Sequence, residues 1–310
     1  MKVQPRPFRL KVSKPQLLNL GCGRTFHSDW LNLDLQSTDS AVREYDILSG
    51  LPCESDSIEA VYHSHVLEHL TQDQGERLLA ECHRVLQPGG ILRIVVPDLE
   101  QIASLYLQNH DQAWSGNKSA SSRYEWMKLE LLDQMVRGQS GGQMGRYMAG
   151  LREEDSEFVL SRVGSEYQIC RSPDLPNTTI VSHGPSQQRP AKVQSKSWRE
   201  RLAGWFVEKL LGCGARAAFS ESLFRSRGEV HRWMYDRYSL RTLCESLGFI
   251  EFQVRNAFES EIEGFDKFQL DTYGRNVRKP DSLFVECRKP LKLVGQRGLG
   301  ISPPLLRKTA

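Results

Sequence analysis

The residues best suited to chemistry follow short apolar runs that we expect to be strands. Gln16–Leu20 is such a run, and Gly21-Cys22-Gly23 follows it directly. A Gly-x-Gly turn after a strand lets the backbone approach a ligand, because glycine has no Cβ and accepts left-handed conformations. Taken alone, the pattern indicates a ligand loop no more strongly than an ordinary tight turn.

Acidic and polar residues occupy the same place after the next runs. Asp34 closes the second run, Asp46-Ile47 closes the third, and Ser64-His65 follows the fourth. Ligands of open α/β sheets bind at the carboxyl ends of strands, so these positions predict one common site.

The spacing also narrows the class of ligand. A dinucleotide site would need a further glycine where Phe26 stands and an acid about 20 residues after the loop. Asp34 comes only eleven residues after Gly23. The set favours a nucleoside without a diphosphate, with Asp34 accepting from its ribose hydroxyls.

Three histidines near the fourth run invite a metal interpretation. His63 and His65 alternate along the expected strand end, and one helical turn can bring His65 and His69 together. No flanking cysteine or carboxylate completes a ligand set, so the sequence predicts no metal site.

The elements around these residues alternate between strand and helix. Capping-box spacings start helices at Thr71–Gln74 and Asp98–Gln101, and Pro88-Gly89-Gly90 is expected to stop the first. Ile91–Val96 is a nearly unbroken apolar run, typical of a strand buried on both faces of a parallel sheet.

The sheet resumes near residue 231, with a helix at Ser239–Leu247 and strands at Phe249–Arg255 and Ser282–Cys287. The pattern predicts an α/β fold: a Rossmann-like doubly wound sheet, mostly parallel with a C-terminal antiparallel strand.

Residues 101–228 predict a mainly helical cap inserted into this domain. One helix is expected from the capping box Ser122–Glu125 to Gly138, and another from the capping box Ser197–Glu200. The segment 170–197, rich in proline and serine, predicts a mobile loop. The apolar stripe of the second helix could lie on a membrane surface, but we expect a lid docked on the core of the protein.

Composition limits the classes of protein. The segments 1–16 and 288–310 hold eleven basic residues and no acid, so we expect basic tails at 1–14 and 291–310 rather than a nucleic-acid surface. The two remaining segments, 15–100 and 229–290, form the expected Rossmann-like domain.

No apolar run reaches the length of a membrane span, and no secretory signal is visible, so we expect a cytoplasmic protein. The oligomeric state is left open.

Several stretches resemble the type 11 family of class I methyltransferases. The phrases His65-Val66-Leu67-Glu68-His69-Leu70 and Arg84–Gly90 are especially similar, and His231–Leu240 looks like the segment before the last helix and strand pair of the family. The chain resembles a bacterial subgroup with a shortened first crossover. The resemblance covers residues 15–100 and 229–290 and implies S-adenosylmethionine as cofactor.

The resemblance implies cofactor contacts at nine positions: Asn19, Gly21, Cys22, Gly23, Asp34, Asp46, Ile47, Ser64 and His65. Asp46 and Ile47 would flank the adenine, unless Asp46 is a turn aspartate, and Ser64 and His65 would lie at the methionine end. Asn19 stands where the family has an acid, and Thr25 where it has a third glycine. Asn19 would therefore hold a water or the methionine amino group without charge.

Methyl transfer asks the protein mainly for alignment and exclusion of water, because the sulfonium already activates the methyl group. An oxygen acceptor also needs a base, for which the candidates are His65, His231, Tyr235 and Asp236. Tyr235 or Trp233 could contact the sulfonium. We expect Trp233 and Tyr238 to pack in the core instead.

The sequence thus predicts a methyltransferase that acts on a small molecule at oxygen. The subgroup is associated with saccharide and cell-surface biosynthesis, which suggests a glycosyl acceptor. Two alternatives stay open, a non-catalytic cofactor-binding or scaffold protein, suggested by Asn19, and a nicotinamide-dependent oxidoreductase, which Phe26 disfavours.

Overall fold

A seven-stranded sheet carries the candidate residues at one edge. The computed structural model describes residues 16–37, 39–164, 198–226 and 228–292. The expected N-terminal tail, the loop 170–197 and most of the C-terminal tail lie outside the described residues. The strands of the sheet are β1 Gln16–Leu20, β2 Trp30–Asp34, β3 Val42–Glu44, β4 Ile58–Ser64, β5 Leu86–Pro97, β6 Ile250–Arg255 and β9 Ser282–Arg288.

The sheet order is β3-β2-β1-β4-β5-β9-β6. Neighbours from β3 through β5 are parallel, whereas β9 is antiparallel to both β5 and β6. The predicted Rossmann-like α/β fold, mostly parallel with a C-terminal antiparallel strand, is therefore confirmed. A separate two-stranded hairpin joins β7 Thr272–Tyr273 to β8 Asn276–Val277.

The switch point of the sheet lies between β1 and β4. Leu20 of β1 is in register with Leu33 of β2 on one side and His63 of β4 on the other. Because all three strands run in one direction, the loops after β1, β2 and β4 meet at the same carboxyl edge, where ligands of such sheets bind.

Both faces of this sheet are apolar, and each is covered by other elements of the chain. Leu18 and Val61 face a core formed with the helices α1 (Gln72–Val85) and α8 (Arg237–Ser246), whereas Tyr62 and Trp30 face the segment 256–271. This alternation follows the two-residue period of a strand. Burial on both faces explains why the strands read as nearly continuous apolar runs.

Helix α1 Gln72–Val85 begins at the predicted capping box of Thr71 and Gln74. It ends before Pro88-Gly89-Gly90, which lie in the first part of β5. Helix α8 Arg237–Ser246 starts earlier than predicted, because Asp236 and Ser239 form a capping box.

The described residues of the insertion form helices joined by short turns. Its helices are α2 Leu99–Trp114, α3 Lys118–Val136, α4 Gly142–Ala149, α5 Glu153–Val163, α6 Trp198–Leu211 and α7 Cys213–Arg225. Asp98 caps α2 as predicted. The predicted start of α3 at Ser122 was wrong, since Asn117 is the cap and Ser122 lies inside the helix, where its hydroxyl donates to Asp155.

Helices α2 to α5 share a hydrophobic core of their own, which includes Ile102, Trp126 and Met127. Met234, from the segment that leads back to the sheet, also packs in this core. The core of the insertion thus includes a residue of the segment 231–240, which holds three of the predicted catalytic candidates.

Helices α6 and α7 pack mainly on each other. The side chains of Leu202, Trp205 and Phe206 are each about half exposed. The predicted docking of this stripe on the core of the protein was therefore wrong for the described residues. The predicted core packing of Trp233 and Tyr238 was also wrong, because they are 40% and 78% exposed. Among the described residues, no helix is long and apolar enough to cross a membrane.

Candidate active site

The loop after β1 turns sharply at two glycines with left-handed backbones. Gly21 has a φ of 59° and Gly23 a φ of 53°. A Cβ on Gly21 would lie 2.5 Å from Cγ2 of Val66, whereas a Cβ on Gly23 would meet no atom within 4 Å. Gly21 is therefore required by close packing against the loop after β4, and Gly23 borders open space.

Asp34, at the end of β2, holds this loop. One carboxylate oxygen accepts from the backbone N–H of Gly23 at 2.8 Å, and the other accepts from that of Gln36 at 3.1 Å. An ionised carboxylate has about four acceptor positions, so Asp34 can still accept from two ligand hydroxyls. The bond to Gly23 also places the carboxylate beside the open space next to that residue.

Asn19 supports the loop from inside the sheet. Its side chain is fully buried, and its amide N–H groups donate to the carbonyl of Thr25 and to the side-chain oxygen of Asn32. Its own oxygen has no hydrogen-bond partner among the described residues. Cys22 is buried as well, and burial, with Asp34 nearby, raises the pKa of its thiol to about 12. The thiol is therefore neutral.

Asp46 and Ile47 follow β3. Asp46 is exposed and caps the short 3₁₀ turn Ile47–Ser49, accepting from the backbone N–H of Leu48 at 2.9 Å. Asp46 thus fills the turn role that the sequence left open. Ile47 is buried and belongs to the core between the sheet and α1.

His65 follows Ser64 at the end of β4 in an unusual backbone conformation. It has a φ of 53°, rare for a residue other than glycine, and its N–H donates to the carbonyl of Val95. Its ring nitrogens face two different groups. Nε2 lies 2.8 Å from the hydroxyl of Ser282, and Nδ1 lies 3.0 Å from Oε1 of Glu68.

Glu68 is the centre of a buried group of ionisable side chains, which we call the Glu68 cluster: Glu68, His65, His69, His231 and Tyr235. Glu68 is fully buried, and neither of its carboxylate oxygens has an aligned hydrogen bond among the described residues. Nε2 of His69 lies 3.9 Å from Oε1 of Glu68, and the rings of His69 and His231 meet edge to face, with centroids 4.8 Å apart.

Burial and charge set the protonation of the cluster. Burial by itself would raise the pKa of Glu68, but the neighbouring histidines outweigh it and lower the pKa to about 2. Burial lowers the pKa of His231 to about 3 and also lowers the pKa of His69. Burial, followed by the charge of Glu68, raises the pKa of Tyr235 to about 12. These directions favour an ionised Glu68 and neutral side chains at His69, His231 and Tyr235, so the lowered pKa of Glu68 depends mainly on His65.

The segment 230–236 brings the distant members of the cluster to the sheet edge. The backbone N–H groups of Arg232 and Trp233 both donate to the carbonyl of Glu68. The carbonyl of Tyr235 accepts from the N–H of Leu99, just after β5. The N–H of His231 donates to the carbonyl of Gln134 in α3.

Of the four predicted catalytic candidates, the structure brings His65, His231 and Tyr235 together. It does not include Asp236, whose carboxylate caps α8 by accepting from the N–H of Ser239 at 2.8 Å. Sequence reasoning missed Glu68 as the centre of the group. The available signal was an acid with histidines three residues before it and one after it.

No metal site was predicted from the sequence, because no flanking carboxylate completed a ligand set. The structure supplies one, because Glu68, His69 and His231 each offer a ligand atom within 4.8 Å of the others. His63 takes no part in this group. It is fully buried in β4, and neither ring nitrogen has a hydrogen-bond partner among the described residues.

Comparison with known proteins gives a family for part of the chain. The model of the type 11 methyltransferase family, described as a methyltransferase domain, matches residues 31–94, which run from β2 into β5. No curated protein matches the chain. The family match agrees with the expected enzyme and cofactor and gives no support to the scaffold and oxidoreductase alternatives.

Several solved structures are similar to the chain. They include a methyltransferase dependent on S-adenosylmethionine from Archaeoglobus fulgidus, at 10% identity and a TM-score of 0.34, covering 89% of this chain and 87% of that one. A possible histamine N-methyltransferase from Thermotoga maritima has 11% identity and a TM-score of 0.35, covering 90% and 84%. A methyltransferase dependent on S-adenosylmethionine from Mesorhizobium loti has 22% identity and a TM-score of 0.23, covering 30% and 52%. At such low identities and scores, none of these likenesses bears on substrate or site residues.

Proposed function

We propose that this chain, which carries a class I methyltransferase domain dependent on S-adenosylmethionine, transfers the methyl group to a hydroxyl oxygen of a small molecule. The observation that carries the proposal is the position of His65. Its ring lies between a buried carboxylate and a hydroxyl, at the strand end next to the glycine loop. An oxygen acceptor must lose its proton, and an oriented imidazole is the commonest base for that task.

The cofactor would lie across the carboxyl ends of β1 to β4. In this arrangement the backbone at Gly21 and Gly23 approaches the methionine portion, and the carboxylate of Asp34 accepts from the ribose hydroxyls. Asp46 and Ile47 would flank the adenine, with Ser64 and His65 at the methionine end. The open space beside Gly23 and the bond from Gly23 to Asp34 support this arrangement. Asn19 and Cys22 would act from beneath, by holding the loop.

The chemistry requires the protein to take up one proton, from the acceptor hydroxyl. The cofactor supplies an activated methyl group and its own leaving group. The charge of Glu68, 3.0 Å from Nδ1 of His65, favours the tautomer with its proton on Nδ1, which leaves Nε2 as the basic atom. The methyl carbon would gain a bond to the acceptor oxygen and lose its bond to the sulfur of the cofactor, which keeps the electron pair, and the proton of the acceptor hydroxyl would pass to Nε2 of His65. The hydroxyl of Ser282 lies 2.8 Å from this nitrogen, and the acceptor oxygen would replace it there.

Part of the helical insertion would form the acceptor side. Helix α3 supports it, because the carbonyl of Gln134 holds the N–H of His231. Trp233 adds an exposed aromatic surface on the segment bound to Glu68, which suits the face of a saccharide or another small ring. The boundaries of the insertion at 101–228 and a saccharide acceptor belong to this proposal.

The experiment is a labelled methyl-transfer screen over hydroxylated small molecules, with the product methyl group located by mass spectrometry. The variant His65→Asn keeps a residue that tolerates a positive φ but removes the base. We expect kcat to fall by about 10²- to 10⁴-fold, a larger change than that in the dissociation constant of S-adenosylmethionine, whose methionine end His65 also contacts in this arrangement. The matched control is His110→Asn, which changes an exposed ring on α2. A methyl group on nitrogen or carbon, or a wild-type rate in His65→Asn, would refute the proposal.

A further inference from the structure

The Glu68 cluster has one feature that its role beside His65 does not explain: within the described part of the chain, its buried carboxylate has no cationic partner of fixed charge. Among the described residues, its ion-pair contacts are with the imidazoles of His65 and His69. Both carboxylate oxygens lack an aligned hydrogen bond. A buried charge is costly unless it is paired or coordinates a metal.

We propose that Glu68, His69 and His231 bind a divalent first-row transition-metal ion such as Zn²⁺, Mn²⁺ or Fe²⁺. Two imidazole nitrogens and one carboxylate oxygen are a donor set that these ions use when they keep positions open for substrate. The ligand atoms lie within 4.8 Å of one another. Ligands bound at about 2.0–2.2 Å lie about 3–4 Å apart, so small side-chain movements would close the site.

The surroundings of the two histidines match those of metal ligands. Nδ1 of His69 lies 3.3 Å from the carbonyl of Val230, so it carries the proton and leaves Nε2 free to coordinate. A second hydrogen bond of this kind is typical of ligating histidines, because it sets the tautomer and orients the ring. His231 is held through its backbone by α3. The partly exposed ring of His69 provides a route for the ion.

The position of the site suggests what the ion would do. Three protein ligands leave at least one coordination position, which a hydroxyl of the acceptor can occupy. Coordination would orient the oxygen beside His65 and make its proton easier to remove. This role rests on the proposed function, whereas binding of the ion does not.

The test uses the full-length chain after removal of metal with EDTA. Titration with Co²⁺, followed by its visible absorption and by calorimetry, should show one bound ion per chain, which Zn²⁺ displaces. The variants Glu68→Gln and His231→Ala should each weaken Co²⁺ binding by at least about tenfold. The matched control His110→Ala, which removes an exposed histidine outside the cluster, should leave the affinity unchanged.

The wild-type protein gives an independent readout in case the variants fold poorly. Saturating Zn²⁺ should raise its Tm, and EDTA should reverse the shift, because a ligand of the native state stabilises it. Absence of Co²⁺ binding in the wild type, or equal binding by Glu68→Gln, His231→Ala and His110→Ala, would overturn the metal site. If the stripped chain binds S-adenosylmethionine but not Co²⁺, the metal proposal fails alone. If it binds Co²⁺ but methylates no hydroxyl, the proposed function fails alone.

Discussion

The two glycines of the loop after β1 have the same backbone conformation but different surroundings. Gly21 packs against Val66, and Gly23 borders the open space where the cofactor would lie. Substitution at each position should therefore damage a different property of the protein.

We predict that Gly21→Ala mainly lowers stability, whereas Gly23→Ala mainly lowers cofactor affinity. Each alanine costs about 1–2 kcal/mol for its left-handed backbone. Gly21→Ala adds about 1–3 kcal/mol for overpacking against Val66, whereas the Cβ of Gly23→Ala would project into the space assigned to the cofactor. Urea unfolding without ligand and calorimetry with S-adenosylmethionine separate the two effects. If Gly23→Ala binds the cofactor as tightly as the wild type does, the cofactor does not lie beside Gly23.

Asp34 has two tasks that a graded pair of substitutions can separate. It accepts from the backbone of Gly23, and it is proposed to accept from the ribose. We predict that Asp34→Ala weakens S-adenosylmethionine binding by about 1–3 kcal/mol, since charge-assisted hydrogen bonds are lost. Asp34→Asn, which keeps one acceptor oxygen, should lose less. Asp29→Ala, at a more exposed acid just before β2 and therefore at the opposite edge of the sheet, serves as the control, and an unchanged dissociation constant in Asp34→Ala would contradict the ribose assignment.

At the scale of elements, the segment 230–236 joins the insertion to the sheet. Met234 packs in the core of the insertion, and Tyr235 packs in the main core against α1 and α8. The position of His231 in the cluster therefore depends on how well the insertion is packed. A buried ion pair contributes to that packing, since Nη2 of Arg162 lies 2.5 Å from Oε1 of Glu130.

We predict that Arg162→Met destabilises the insertion by about 3–5 kcal/mol, because it leaves Glu130 buried without its cation. Burial already raises the pKa of Glu130 despite Arg162, so loss of Arg162 should favour the protonated carboxyl. Hydrogen exchange should show faster exchange in α2, α3 and α5. Arg152→Met, which removes an exposed ion pair of the same insertion, should cost less than about 1 kcal/mol. Equal protection of α3 in both variants would contradict the prediction.

At the scale of the whole molecule, His63 makes stability depend on pH. It is fully buried in the central strand β4, and burial lowers its pKa to about 4 from an ordinary value of 6.5. Between these two values the unfolded chain binds a proton that the folded chain does not. Stability therefore rises with pH across this window and is lost as the pH falls from 6.5 towards 4.

We predict that His63→Phe flattens this acid-dependent loss by up to about 3 kcal/mol. Phenylalanine has a similar shape and does not titrate, and no hydrogen bond to the ring of His63 is present among the described residues. Urea unfolding from pH 7 to pH 4, in EDTA, measures the effect, with His110→Phe as the exposed control. His231, whose pKa is also lowered, should leave a residual slope in His63→Phe. A slope identical to that of the wild type would show that His63 is already protonated in the folded chain, or that it is not buried.

Much of the fold, and the position of the strand-end residues proposed to hold the cofactor, follow from local sequence patterns. The strand runs, the capping box at Thr71, the N-cap at Asp98 and the Gly-x-Gly after β1 all lie where they were predicted. These signals are local, because strand periodicity, caps and left-handed glycines involve residues a few positions apart. The family match to residues 31–94 covers this same region and agrees with the predicted methyltransferase domain.

Only the tertiary structure decided which distant residues meet and which apolar faces are covered. Glu68 lies more than 160 residues before His231 and Tyr235 in the chain, and no periodicity relates them. The same limit explains the errors at Trp233, Tyr238 and the stripe of α6, since a side chain is buried only if another element packs on it. Local chemistry thus determined the strand ends that would hold the cofactor. The chain returns from the insertion past α3, and this return brings His231 and Tyr235 to the end of β4, next to the buried carboxylate of Glu68.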